Sequence, residues 1–169
     1  MVREATADDV RGMAEVHVRA WRAAYRGILA AQLLDDLSVD LREKSWRSTL
    51  AEEGSAMFTL VAEGENDSIA GFCSVARPSR DEDAGERTAE IAATCVDPGR
   101  WGSGVGRALM EQALARLQDG RWDDVTLWIF MRNAQGRAFY ARSGFRLDGT
   151  RGVHEASGVT TTRMRLALV

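Results

Sequence analysis

Residues 96–107 read Val-Asp-Pro-Gly-Arg-Trp-Gly-Ser-Gly-Val-Gly-Arg, a glycine-dense turn set between two segments of opposite periodicity. Before it, 88–96 is apolar and partly β-branched and reads as a strand, stopped by Pro98, which has no N–H for a sheet ladder. After it, Val105, Leu109, Ala113 and Leu117 recur four apart and so share one helix face, with Gly120 placed to close the helix at C′. A further strand pattern at 125–130 completes a strand, helix, strand unit, which favours a parallel crossover. Glycines at 102, 104 and 106 let the backbone approach a ligand with no Cβ in the way. The helix start adds unpaired N–H groups and the positive end of its dipole, so the turn suits an anion and above all phosphate.

The spacing narrows the phosphate ligand. A P-loop ends in Gly-Lys-Ser/Thr, whereas Gly106 is followed by Arg107 and Ala108. The dinucleotide fingerprint needs Gly-x-Gly-x-x-Gly, and this turn carries Gly-x-Gly-x-Gly. Nucleotide-magnesium and Rossmann chemistry therefore lack their parts.

Around this unit the chain is organised without repeats or linkers, and 1–169 reads as one domain. Residues 2–5 predict a short strand, and Thr6 with Asp9 predicts a helix start whose apolar and aromatic stripe (Met13, His17, Trp21, Tyr25) runs to about Ile28. Ser38 and Asp40 predict a second helix through Trp46 to Leu50. Residues 57–63 and 68–77 flank Gly-Glu-Asn-Asp and read as a hairpin. A short helix at 134–143 closed by Gly144, and strands at 145–151 and 159–168, finish a mixed sheet covered by helices.

Composition excludes several function classes. With 22 Lys+Arg against 25 Asp+Glu the net charge is −3, which leaves no basic excess for nucleic acid or an anionic membrane. The longest apolar run, Leu127 to Met131, is far short of the ~20 residues of a spanning helix. Cys73 and Cys95 form neither a disulfide framework nor a metal motif. We therefore expect a reduced, cytoplasmic setting and no metal.

Two stretches together carry a family resemblance. Val-Asp-Pro followed by a turn and Gly-x-Gly-x-Gly-Arg-Ala-Leu resembles motif A of the GNAT superfamily of N-acetyltransferases. Downstream, Asn133-Ala-Gln-Gly-Arg-Ala-Phe-Tyr-Ala-Arg-Ser-Gly-Phe145 is similar to that family's motif B. The opening residues and Ala20–Ile28 also resemble one bacterial branch, so the resemblance spans nearly the whole chain. It implies the α/β acyl-CoA N-acyltransferase fold, a mixed and mostly antiparallel sheet splayed into a V and flanked by helices. The cofactor entering that V would be acetyl-CoA, and homodimers are common in the superfamily.

The resemblance also assigns roles. Backbone at Trp101, Gly102, Ser103, Gly104, Val105 and Gly106, with Arg107 nearby, would cradle the pyrophosphate; Trp101 stands where the family usually has Arg or Gln. Strand backbone at Cys95 and Val96 would pair with the pantetheine arm, and Asn133 with the cofactor as well as the helix start. Tyr140 would be the general acid, since a phenol near pKa 10 can return a proton to a departing thiolate. Independently of the resemblance, an ammonium acceptor must lose a proton before it attacks, and Glu90, on a face shared by strand period with Ala92 and Thr94, is the best-placed carboxylate to serve as base, with a water relay as the alternative. Trp21 and Tyr25 would wall the acceptor pocket, while His17 reads as a packed histidine and His154 as a loop residue beside Glu155. The implied reaction is direct acetyl transfer to a primary amine of a small molecule, protein N-terminus or lysine. A non-catalytic acyl-CoA sensor or interaction module is the alternative.

Overall fold

The strand patterns at the hairpin and before the glycine turn fold into consecutive antiparallel strands, and the crossover places the next strand parallel to the last of them. The computed structural model describes residues 1–51 and 56–168. Its strands are β1 (Val2–Glu4), β2 (Met57–Glu63), β3 (Ile69–Ala76), β4 (Thr88–Val96), β5 (Asp124–Phe130), β6 (Arg146–His154) and β7 (Val159–Ala167). They form one sheet in the order β1-β2-β3-β4-β5-β7-β6, in which only β4 and β5 pair in parallel. The helices are α1 (Val10–Ala24), α2 (Ala31–Asp35), α3 (Val39–Ala51), α4 (Val105–Asp119) and α5 (Ala134–Arg142).

Each helical stripe buries against its own side of the sheet. The four-residue ladder of α4 sends Leu109, Ala113 and Leu117 into a core with Val75, Ala89, Val125 and Leu127. On the opposite side α1 buries Val10, Met13 and Val16 against Val61 and Phe72, joined by Trp46 from α3. No helix among the described residues is long and apolar enough to cross a membrane.

Some boundaries differ from the sequence reading. Helix α1 stops at Ala24 rather than near Ile28, because Gly27 takes a left-handed φ of +78° and the chain turns into the unpredicted short helix α2. At the end of α4 the left-handed residue is Arg121 (φ 57°), not Gly120, whose backbone is right-handed. A Cβ on Gly120 would sit 3.1 Å from the Trp122 ring, so the glycine makes room for that indole instead. Strand β6 runs on to His154, which places that residue at a strand end rather than in a loop.

The entry to α1 is tied to β1 by charge. Arg3 donates to Asp9 Oδ2 at 2.7 Å and Oδ1 at 2.8 Å, and the Thr6 N–H donates to Oδ2 at 2.7 Å. The Arg3 hydrogen bonds outweigh burial and hold the buried Asp9 carboxyl at about 2. Because this lies below the unfolded value near 3.9, Asp9 contributes stability above about pH 4 that is lost as pH falls through about 2. Asp9→Asn is expected to lower stability at neutral pH by about 2 kcal/mol and to flatten the acid limb of the profile. Urea melts at several pH values check this, and an unchanged acid limb would count against it.

Candidate functional site

β4 and β5 pair only over Thr88–Glu90 with Asp124–Thr126, and beyond that the two strands part. Where they separate, a cleft of about 970 Å³ opens, lined by β4 from Glu90 onward, the glycine turn, α1, α3 and α5. The Asp97 N–H bonds the Ala70 carbonyl on β3 at 2.8 Å. Antiparallel alternation then turns the Cys95 backbone toward β3 and the backbone polar groups of Thr94 and Val96 across the gap, where no strand of the described residues meets them. One of these acceptors is covered: the Trp101 indole N–H donates to the Val96 carbonyl at 2.9 Å.

The glycine turn has the features an anion cradle requires. Gly102 (φ 77°) and Gly104 (φ 91°) occupy the left-handed region that a Cβ would strain, and Gly104 as N-cap brings no side chain to the first N–H groups of α4. Asp97 braces the turn, its Oδ1 accepting the Gly99 N–H at 2.9 Å and its Oδ2 taking Arg19 of α1 at 2.7 Å. Ser103 donates to the Arg100 carbonyl at 2.6 Å. Arg100 pairs with Glu65 and Arg107 with Glu111, so both guanidiniums at the cleft mouth carry carboxylate partners.

Of the residues singled out in the sequence, Tyr140, Glu90, Asn133, Trp21, Tyr25, Cys95, Val96 and Trp101 all line this cleft. Asn133 caps α5, its Oδ1 accepting the Gly136 N–H at 2.9 Å. Tyr140 packs edge-on to Phe139 and Phe145 at the α4 side of the sheet. Burial pushes its phenol well above the usual tyrosine range, a hydrogen bond with Thr94 offsetting this only in part, so Oη keeps its proton at neutral pH. Burial likewise pushes the Cys95 thiol up to about 12, which leaves it without thiolate character.

The face assigned to Glu90 is corrected by the structure. Ser74 pairs with Ala93 but Val75 pairs with Ile91, so Ala92 is the extra residue of a β-bulge and the two-residue period slips there. Glu90 therefore shares a face with Ala93 and Cys95, toward α1 and α3, while Thr94 turns to the other side beside Cys73. On its own face Glu90 is clamped by Arg80, through Nη2 at 2.6 Å, Nε at 3.1 Å and the backbone N–H at 3.1 Å. Among the described residues three of the roughly four lone-pair positions of the carboxylate are thus occupied. Arg80 and Trp128, which also line the cleft, escaped the sequence reading, since Arg80 reaches it from the unpatterned loop between β3 and β4 and Trp128 from the strand that splays away from β4.

The aromatic wall is continuous. Trp21 and Tyr25 meet edge to face with centroids 5.0 Å apart, Tyr25 meets Phe130 at 4.9 Å, and His154 lies 5.3 Å from Phe130. Burial raises the Tyr25 phenol far above its usual range. His17 is packed as expected, Nδ1 accepting the Trp46 indole N–H at 3.4 Å.

Known proteins share this architecture. The PaiA N-acetyltransferase of Thermoplasma acidophilum, solved in complex with coenzyme A, superposes with a TM-score of 0.79 at 16% identity over 96% of both chains. A ribosomal-protein-alanine N-acetyltransferase of Brucella melitensis gives 0.74 at 19% identity over 99% of each chain. At these identities they show the shared acyl-CoA N-acyltransferase fold. In sequence, the uncharacterized N-acetyltransferase YuaI of Bacillus subtilis is 31% identical over 132 residues, 78% of this chain and 72% of that protein. Residues 12–145, spanning both motifs and most of the cleft lining, match the acetyltransferase (GNAT) family, and the chain belongs to that family of acetyl-CoA-dependent acyltransferases.

Proposed function

We propose that this chain, as one catalytic unit, moves an acetyl group from acetyl-CoA directly to a primary amine. The observation that carries the reading is the convergence on one cleft of an uncapped glycine helix start, an unpaired strand edge and a protonated tyrosine. The first N–H groups of α4 and the backbone of 101–106 bind the phosphates, and the open edge at Thr94 and Val96 orients the extended arm. When bound, acetyl-CoA supplies an acetyl group already activated as a thioester. Tyr140 holds a proton at Oη for the departing sulfur, and the Glu90 carboxylate, directly or through water, draws a proton from the incoming ammonium. The inert Cys95 thiol supports transfer without an acyl-cysteine.

Titration calorimetry with acetyl-CoA, and with NAD and ATP as controls, tests the cradle. We expect micromolar binding of acetyl-CoA alone. Gly104→Val, which forces a β-branched residue into a left-handed N-cap, is expected to weaken binding by about tenfold or more. Acceptor-dependent release of free thiol separates the enzyme from a sensor, which would hold acetyl-CoA and release thiol no faster than background.

A further inference from the structure

The cleft wall around Trp21 carries two hydrogen-bond donors that no other described residue answers. Arg42 of α3 is half-buried, with its guanidinium carbon 5.5 Å from the centre of the Trp21 ring. Among the described residues it has no carboxylate partner. The neighbouring acids on its helix are taken: Asp40 pairs with Arg11 at 2.6 Å, and Glu43 pairs with Arg11 at 3.0 Å and Arg47 at 2.8 Å. The second donor is His17. Because Nδ1 accepts from Trp46, the ring proton sits on Nε2, and that atom is buried in the cleft wall without a partner. The ring is 5.2 Å from that of Trp21. Burial and the Arg42 charge push its pKa down to about 3, so it is a neutral donor rather than a second cation.

The negative side of the cleft is sparse. Glu90 is the one carboxylate among its described lining residues, and Arg80 already neutralises it. A polycationic acceptor would bring further ammonium groups to a wall with no free acid, whereas an anionic group would satisfy both unanswered donors at once. Arg42, His17 and Tyr140 all line this one cleft.

Resting on the acetyltransferase reading above, we infer that the acceptor is an amine that also bears a carboxylate, in the manner of an amino acid, its carboxylate held by Arg42 and the His17 Nε2–H. The overall charge of −3 is no guide here, because the field at the site is set by these few groups.

Matched amines test this. Several α-amino acids are each compared with their amides and decarboxylated amines, alongside spermidine as a polycation, by thiol release with saturating acetyl-CoA. The carboxylates are expected to be favoured in kcat/KM by about 30-fold or more, the ratio charge-assisted hydrogen bonds give. Arg42→Gln should collapse that preference toward one and Arg42→Lys should restore part of it. Calorimetry of the same variants should show acetyl-CoA binding as in the parent, since the reading assigns the phosphates to the glycine turn and not to Arg42. Equal or better use of spermidine or the decarboxylated amines overturns the inference and leaves the acetyltransferase intact. So does a loss of acetyl-CoA affinity in Arg42→Gln with the preference retained. Thiol release from no amine, with acetyl-CoA bound, overturns both. Should Arg42→Gln fail to fold, the preference of the unmodified protein alone decides.

Discussion

Tyr140→Phe is expected to lower kcat by about a hundredfold or more while the dissociation constant for acetyl-CoA changes by less than about twofold. The substitution removes one oxygen and keeps the ring, so the packing against Phe139 and Phe145 survives. What is lost is the proton at Oη, which burial keeps in place by raising the phenol far above its usual range. For the same reason Tyr140 should add no descending limb to the pH–rate profile near neutrality, since it does not ionise there. Steady-state kinetics with a thiol reagent, paired with calorimetry, separates the two effects. Equal turnover in the variant would remove Tyr140 from the chemistry, and an equal loss of affinity would make it a binding residue.

Arg163→Met is expected to destabilise the fold by about 3–5 kcal/mol, a large part of the 5–15 kcal/mol that typically holds a domain together. Arg163 is only 4% exposed, on β7, and donates to Asp83 at 2.6 and 2.8 Å, to Asp148 at 2.6 Å, to Asp81 at 3.2 Å and to the Thr150 hydroxyl at 3.0 Å. Methionine fills the space but leaves Asp81 and Asp148 largely buried with little cation to answer them. The damage would reach the cleft, because Asp81 also accepts the Trp128 indole N–H at 2.8 Å and follows Arg80 in the chain. The Asp83 carboxyl is held low by Arg163. Burial alone would raise Asp148, but the Thr150 N–H and Arg163 hold it low as well. Depressed carboxyls contribute stability above the ordinary carboxylate range and lose it as pH falls, so the parent should lose more on acidification than the variant. Thermal and urea melts are expected to show a drop of roughly 10 °C in Tm. A drop under about 1 kcal/mol would mean that the network is only a surface feature.

Much of the site was written in local spacing. The left-handed glycines, the uncapped start of α4, the Asn133 cap and the placement of Tyr140 on α5 depend on neighbours within one or two turns of chain. Such positions constrain residue type directly, through φ, hydrogen-bonding capacity and the face a period selects. The order of strands and the parallel crossover followed from the same patterns, because a stripe of apolar residues must find a sheet to cover. Where spacing failed, a long-range contact had intervened. The bulge at Ala92 is a matter of β3 register and reverses the face predicted for Thr94 relative to Glu90. The Arg80 clamp crosses an unpatterned loop, and Trp101 reaches back to a carbonyl at the strand end. The unanswered pair Arg42 and His17 comes from two helices whose meeting at the cleft leaves no periodic trace. The sequence by itself determined the elements other than α2, their order along the chain and the glycine turn, since these rest on backbone preference and one-sided burial. Only the tertiary structure decided which charges meet in the cleft, because register and helix docking choose those partners among residues tens of positions apart.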